Sequence, residues 1–434
     1  YLAAGWSPAV VAERTTEHPL QPFSRRYFEP GSALLTYARE WRAAHAATAD
    51  GLRVQDTTPA DTAPDAEATA PGDAARPPAR LPADGTGAPA APALAPFIPD
   101  PALPLTIAQL ASFLRNPVKV FFRQRLSVIF DDAAETLPDD ESFGLDALEE
   151  HGLVDELANA LLADMAALAV AELPRFGLDA AIARHLRRIE RAGRLPIGGL
   201  GLRTRDALGA ALQPMMSAWR AARAAHPVAL QRLPLRFEHG GAVMEDWLDH
   251  RFAADADAAS PLWLGLNPGR LLEGARQDIV RPYKLLQTWV GCLLAAASDA
   301  PSAGLLVGRD GSLRIAATDP GAARATLATL IDGWQQGLSA PLPVAAKTAL
   351  AFVGERGPGK TQETYEGNER IRGEVEDASL ARCYPYFEAL CADGRFEHLA
   401  QTLYAALAEW VATHVDATPH GETDALHAPE EAAQ

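Results

Sequence analysis

No stretch of this 434-residue chain approaches the roughly 18 uninterrupted apolar residues of a membrane-spanning helix, so no membrane partner is expected. The opening Tyr1-Leu2-Ala3-Ala4-Gly5 lacks an initiator Met and a basic-then-apolar signal region, and the chain reads as part of a longer protein. Cysteine is scarce: Cys292, Cys383 and Cys391 form no C-x-x-C pair, which leaves too few ligands for a structural zinc site or a disulfide framework and suits a reducing cytoplasm. The eleven histidines show no H-E-x-x-H spacing, and G-x-S-x-G is absent, so neither a zinc hydrolase nor a serine hydrolase is indicated. Positive charge is also short. With 39 Lys and Arg against 56 Asp and Glu the formal net charge is −17, and a surface that wraps nucleic acid throughout is excluded because phosphate binding draws its affinity from Lys and Arg. Any contact with DNA must be local.

What the chain does have is 48% apolar residues, enough for a substantial core and for two domains. Residues 1–45 carry Leu34, Leu35, Tyr37 and Trp41, too little for a core, and read as the tail of an upstream domain. Residues 46–103 are dominated by Ala, Pro, Asp, Gly and Thr, cannot repay the entropy of ordering, and read as a flexible linker. Residues 104–415 form the folded domain, and 416–434 an acidic, Ala-rich disordered tail.

Within that domain Ile107, Leu110, Phe113, Leu114, Val118, Phe121 and Phe122 follow helical spacing after a Thr106 cap. Further helices are expected over Val154 to Leu173, Leu208 to Ala225 and Asp278 to Ala297, with a closing helix carrying Leu399, Leu403, Leu407 and Trp410 on one face. Strand signals are Leu235 to Phe237, Val243 to Phe252, Leu262 to Leu266, Leu305 to Val307 and Leu313 to Ala316. The first two join through Gly240-Gly241, and the last two through Arg309-Asp310-Gly311.

Two basic stretches stand out. Arg115, Lys119 and Arg123 fall at i, i+4 and i+8 with Arg125 nearby and no acid between Pro101 and Phe130, a spacing suited either to tracking DNA phosphates or to a solvated face. Arg184, Arg187, Arg188, Arg191, Arg194, Arg203 and Arg205 make a second run, a candidate for DNA or an acidic partner surface. Nine acids between Asp131 and Glu150, with no Lys or Arg among them, offer an equally good intramolecular or intersubunit match.

Four phrases in order resemble the RecC family, the gamma subunits of exodeoxyribonuclease V. They are His18-Pro19-Leu20-Gln21-Pro22-Phe23-Ser24-Arg25-Arg26-Tyr27-Phe28; Leu103-Pro104-Leu105 with Phe113-Leu114-Arg115-Asn116-Pro117-Val118; Gly193-Arg194-Leu195-Pro196-Ile197-Gly198-Gly199-Leu200-Gly201; and Tyr365-Glu366-Gly367-Asn368 followed by Gly373-Glu374. The resemblance implies that residues 1–45 end a helicase-like domain. It also implies that 104–415 is an α/β domain of the PD-(D/E)XK, restriction-endonuclease-like type with additional helices. Its partners would be RecB, RecD and DNA in a bacterial cytoplasmic complex for double-strand break repair and homologous recombination. No cofactor is implied for this part, since ATP and Mg²⁺ act in other subunits. Where some relatives place an iron–sulfur Cys before the Pro of the opening helix, this chain has Asn116.

A PD-(D/E)XK site needs a carboxylate on one strand and an acidic-x-Lys on the next to hold Mg²⁺ and orient water. Asp246 or Asp249 could supply the first. Leu262-Trp263-Leu264-Gly265-Leu266-Asn267 supplies neither an acid nor a Lys, and Lys284 downstream has no acid two residues before it. Gln287-x-Trp289 is reminiscent of a Gln-x-Tyr pair in active relatives. The expectation is a degenerate site, with no catalytic residue and no metal, acting as a scaffold that contacts DNA near the fork. Two alternatives stay open: an active metal-dependent nuclease with a relocated carboxylate, and a nucleotide-binding protein. The second rests on Gly354-Glu355-Arg356-Gly357-Pro358-Gly359-Lys360-Thr361, which matches the phosphate-loop pattern, although the Ala-rich Val344 to Phe352 before it reads as helix where such a loop needs a buried strand.

Overall fold

A computed structural model describes residues 8–16, 18–19, 21, 24–32, 34–36, 94–130, 144–255, 261–274, 277–369 and 371–420. Two units divide the chain, Tyr1–Thr86 and Gly87–Gln434. In the first, helix α1 (Pro8–Arg14) precedes a single 3-10 turn at Arg25–Tyr27. His18 stacks on Tyr27 with ring centroids 5.9 Å apart, and the Tyr27 hydroxyl donates to the Pro19 carbonyl at 3.3 Å. Tyr37, Trp41 and linker residues 46–93 lie outside the described residues.

The second unit starts earlier than the expected domain boundary. Residues 94–103, assigned above to the linker, run along it: the Phe97 amide donates to Ser339 Oγ at 3.0 Å and its ring meets Trp334 edge-on. Leu105 then bridges to the strand at Met244, and Thr106 with Gln109 forms the capping box of α2 (Ile107–Arg115). The single helix expected through Phe122 is broken. Pro117 has no N–H to continue the ladder and forces Asn116 out of the helical region, to φ −156° and ψ 89°. The Asn116 side chain then caps the short α3 (Pro117–Val120), and a π turn at Phe121–Arg125 follows.

Three helices come next: α4 (Ala147–Ala166), α5 (Leu178–Arg191) and α6 (Gly198–Ala225). The first stops short of the expected Leu173 and gives way to a 3-10 segment, Val170–Arg175. The basic run becomes α5, which buries Leu178, Ala181, Ile182, Leu186 and Ile189 and leaves its arginines outward.

Strand β1 (Val228–Ala229) leads to the hairpin of β2 (Leu233–His239) and β3 (Ala242–Leu248), whose turn places Gly240 and Gly241 at positive φ. The strand expected to run on to Phe252 is interrupted at His250, φ 52°, and resumes as β4 (Arg251–Ala253). After β5 (Leu262–Asn267), β6 (Leu272–Glu273) pairs with β7 (Ile279–Val280), so the expected helix begins only at α7 (Leu286–Ala297). Then come β8 (Ala303–Gly308), β9 (Gly311–Ile315), α8 (Pro320–Ser339), α9 (Ala346–Val353) and α10 (Pro358–Glu366). The small pair β10 (Gly367–Asn368) and β11 (Ile371–Arg372) precedes α11 (Ala378–Cys383), α12 (Phe387–Cys391), α13 (Arg395–His414) and β12 (Val415–Pro419).

The central sheet runs β1-β4-β5-β8-β9-β12, antiparallel throughout except that β5 and β8 are parallel, joined through α7. Side-chain alternation divides its two faces. Leu306, Leu313 and Ile315 pack into a core with α2, α7, α8 and α13, whereas Leu264 and Val307 pack into a second core with α4, α5 and α6. The result is a mixed sheet between two helical layers, an α/β architecture. Val415–Pro419 belong to this sheet as its edge strand on β9. The tail boundary expected at 416 is thus corrected: Asp416 to Pro419 pair with β9 along one edge, and the tail from 421 lies outside the described residues.

Candidate functional site

The acids that the sequence singles out on and just after β3 have structural duties. Asp246, on β3, accepts the backbone N–H of Ile107 at 2.9 Å and that of Trp247 at 2.8 Å, which ties the start of α2 to the hairpin. Asp249 accepts the N–H of His250 at 2.7 Å and holds the left-handed turn between β3 and β4. Strand β5, which pairs with β4 and β8 and lies in a different sheet from β3, ends at Asn267, whose side-chain oxygen accepts from the Gly269 amide at 2.9 Å. Among the described residues no group of three or more His, Cys, Asp and Glu is placed to hold a metal ion.

Between α2, β5 and α7 lies an open groove of about 380 Å³. Its polar lining consists of Arg115, Asn267, Lys284, Gln287 and Thr288, and Trp263 forms part of its apolar wall. Lys284 stands in a 3-10 turn (Pro282–Lys284), not in a helix. Gln287 and Trp289 part company, since Gln287 is exposed to the groove and Trp289 is buried in the core. Cys292 also borders the groove, but burial pushes its thiol up to about 12, so it stays protonated at neutral pH and offers no thiolate.

The basic residues singled out from the sequence do not act as one stripe. Because the helix breaks at Asn116, Arg115 opens onto this groove while Lys119 and Arg123 border a separate hollow of about 200 Å³. Lys119 is not free of acid: it pairs with Asp377 at 3.3 Å. Burial works against the Asp377 charge, yet the Ser379 hydroxyl and Lys119 together hold its carboxyl below the ordinary value. Arg125 turns inward and donates to the Ala95 carbonyl at 2.5 Å, fastening the incoming segment.

On α5 the pairing is divided. Arg184 and His185 both meet Asp164 of α4, at 2.5 and 2.6 Å; Arg194 pairs with Glu156 and Arg205 with Glu190. Among the described residues Arg187, Arg188, Arg191 and Arg203 make no ion pair, and all four are exposed. Glu150, one of the nine clustered acids, pairs with Arg309 at 2.5 Å, and residues 131–143 lie outside the described residues.

The loop 354–361 lacks a phosphate-loop setting. It follows helix α9, Lys360 is paired with Glu363 at 2.8 Å, and the buried Thr361 donates its hydroxyl to the Gly357 carbonyl at 3.1 Å. Two other sequence phrases prove to be packing devices. A Cβ on Gly201 would lie 2.0 Å from the Pro196 carbonyl oxygen, and one on Gly373 would lie 2.4 Å from the Tyr365 carbonyl oxygen. Glu374, beside it, is half-buried and caps α9 by accepting from the Lys347 amide, the Thr348 amide and the Thr348 hydroxyl.

Residues 102–357 match the family described as RecC C-terminal domain. The chain is also similar to the RecBCD enzyme subunit RecC of Escherichia coli (strain K12), with 24% identity over 395 residues that cover 86% of this chain and 28% of that protein. It therefore spans little more than a quarter of that relative's length. Among the described residues no helix is long and apolar enough to cross a membrane. With the family match extending over more than half of the sequence, the chain belongs to the RecC C-terminal domain family.

Proposed function

We propose that this chain is a non-catalytic part of a RecC-type subunit, built on a degenerate PD-(D/E)XK domain over residues 104–415, that scaffolds RecB- and RecD-type partners and contacts DNA near the fork. The setting would be a bacterial cytoplasmic complex acting in double-strand break repair and recombination, with ATP and Mg²⁺ used by the other subunits. The observation that carries this reading is the arrangement at β3 and β5. A mixed sheet lies between two helical layers, Asp246 and Asp249 are committed to backbone amides, and β5 offers no second carboxylate and no Lys. The set of a carboxylate with an acidic-x-Lys that such chemistry uses is therefore incomplete on these strands.

The test is to co-express the chain, within its full-length subunit, with cognate RecB- and RecD-type subunits. A stable complex is expected, and the chain alone should leave linear duplex and single-stranded DNA intact with Mg²⁺ or Mn²⁺. Failure to assemble, or metal-dependent cleavage lost on Asp249→Ala, would overturn the reading.

A further inference from the structure

We infer that the groove between α2, β5 and α7 is an anion site, in which Arg115 and Lys284 receive a phosphodiester group of DNA. The inference rests on the DNA-contacting reading above and assigns it a place.

Three observations carry it. First, the polar lining holds two cations and three neutral hydrogen-bonding side chains, Asn267, Gln287 and Thr288, and no acid. In a chain with a net charge of −17, an acid-free concavity is a local reversal of sign, and concave walls focus that field. Second, the cations are available. Among the described residues Arg115 and Lys284 have no carboxylate partner, whereas Lys119, Arg184, Arg194 and Arg205 do. Asp246, on β3, accepts the Ile107 amide on one oxygen and the Trp247 amide on the other. Third, the two cations come from separate elements anchored in one core, Arg115 from the end of α2 and Lys284 from the turn before α7. Arg115 offers a planar fork suited to two phosphate oxygens, and Lys284 a compact charge.

The experiment uses the full-length subunit assembled with its partners and a forked DNA duplex. Arg115→Glu with Lys284→Glu should lower fork affinity at least tenfold at low salt. The plot of log affinity against log salt should flatten by about 0.7 to 0.9, the share of the one phosphate that the two cations hold. Should that variant fail to assemble, a photo-crosslinking residue at the exposed Gln287 of the otherwise unchanged complex still decides the matter, and it should capture a DNA strand. Unchanged affinity and slope in the assembled double variant overturn the proposal. So does a Gln287 crosslink to a polypeptide only, which would make the groove a seat for an acidic protein segment. If the unchanged complex binds forks while the groove takes no part, the assignment fails and the scaffold reading stands; if the complex binds no fork at all, both fall.

Discussion

Asp246 and Ile107 are joined by a hydrogen bond of 2.9 Å from the Ile107 amide to a carboxylate oxygen, across 139 positions of sequence. The Asp246 carboxylate satisfies an amide at the head of helix α2. Such an amide has no partner within the helix, and an acid beside it also complements the positive end of the helix dipole. Asp246→Ala should therefore lower stability by about 0.5 to 2 kcal/mol, in line with the loss of a helix cap. Urea unfolding of the two proteins gives the difference. Wild-type-like stability would show that the bond contributes nothing.

Gly201 is a second point where one atom decides. Gly201→Ala places a methyl group 2.0 Å from the Pro196 carbonyl oxygen, so the loop or the helix start must move, at a cost of about 1 to 3 kcal/mol. Gly199→Ala, two residues earlier on the same helix, meets nothing within 4 Å and should be neutral or slightly stabilising. Thermal unfolding of the pair distinguishes a steric requirement from a general intolerance of substitution.

Glu374 links stability to pH. Burial raises its carboxyl above the ordinary 4.5, against hydrogen bonds from Lys347 and Thr348 that favour the charged form. The folded state then binds the proton more tightly than the unfolded chain. Its contribution is fullest below about pH 4.5 and declines as pH rises through the raised folded value. Measured against Glu374→Gln, which cannot ionise, the parent should lose relative stability over that rise and then level off. Glu374→Ala should be worse than Gln at every pH, because the Thr348 hydroxyl and amide are left unpaired at about 1 to 3 kcal/mol per buried group. A parent that gains on the Gln variant with rising pH would contradict the direction.

The loop at 354–361 should not bind nucleotide. Calorimetry with ATP and Mg²⁺ is expected to show no saturable heat at micromolar concentrations, and Lys360→Ala should change only the ion pair with Glu363. Saturable binding that Lys360→Ala abolishes would restore the nucleotide reading.

The outer face of α5 is open to a simple charge test. Arg187→Glu, Arg188→Glu and Arg191→Glu together touch no described ion pair, so circular dichroism should be unchanged. Retention of the RecD-type subunit, followed by size-exclusion chromatography at moderate salt, should weaken. Full retention would leave these arginines as a solvated face.

Much of this protein is legible from sequence alone, because the signals concerned are local. The Thr106 cap, the Gly240-Gly241 turn and the strand signals on either side of Arg309-Asp310-Gly311 depend on neighbours within a few residues, where backbone sterics and hydrogen bonding act directly. The lack of an acid and a Lys on β5 is likewise a matter of composition. Only the tertiary structure decided which charges meet. It closed Lys119 onto Asp377, 258 positions away, and Asp246 onto Ile107; it turned Arg125 inward, and it set Arg115 beside the same groove as Lys284. It also recruited Val415–Pro419 as an edge strand from a segment whose composition suggests disorder. Local sequence carries no information on such pairings, since they follow from how the two faces of one sheet bury their helices and from the loops that bring distant segments to a common edge.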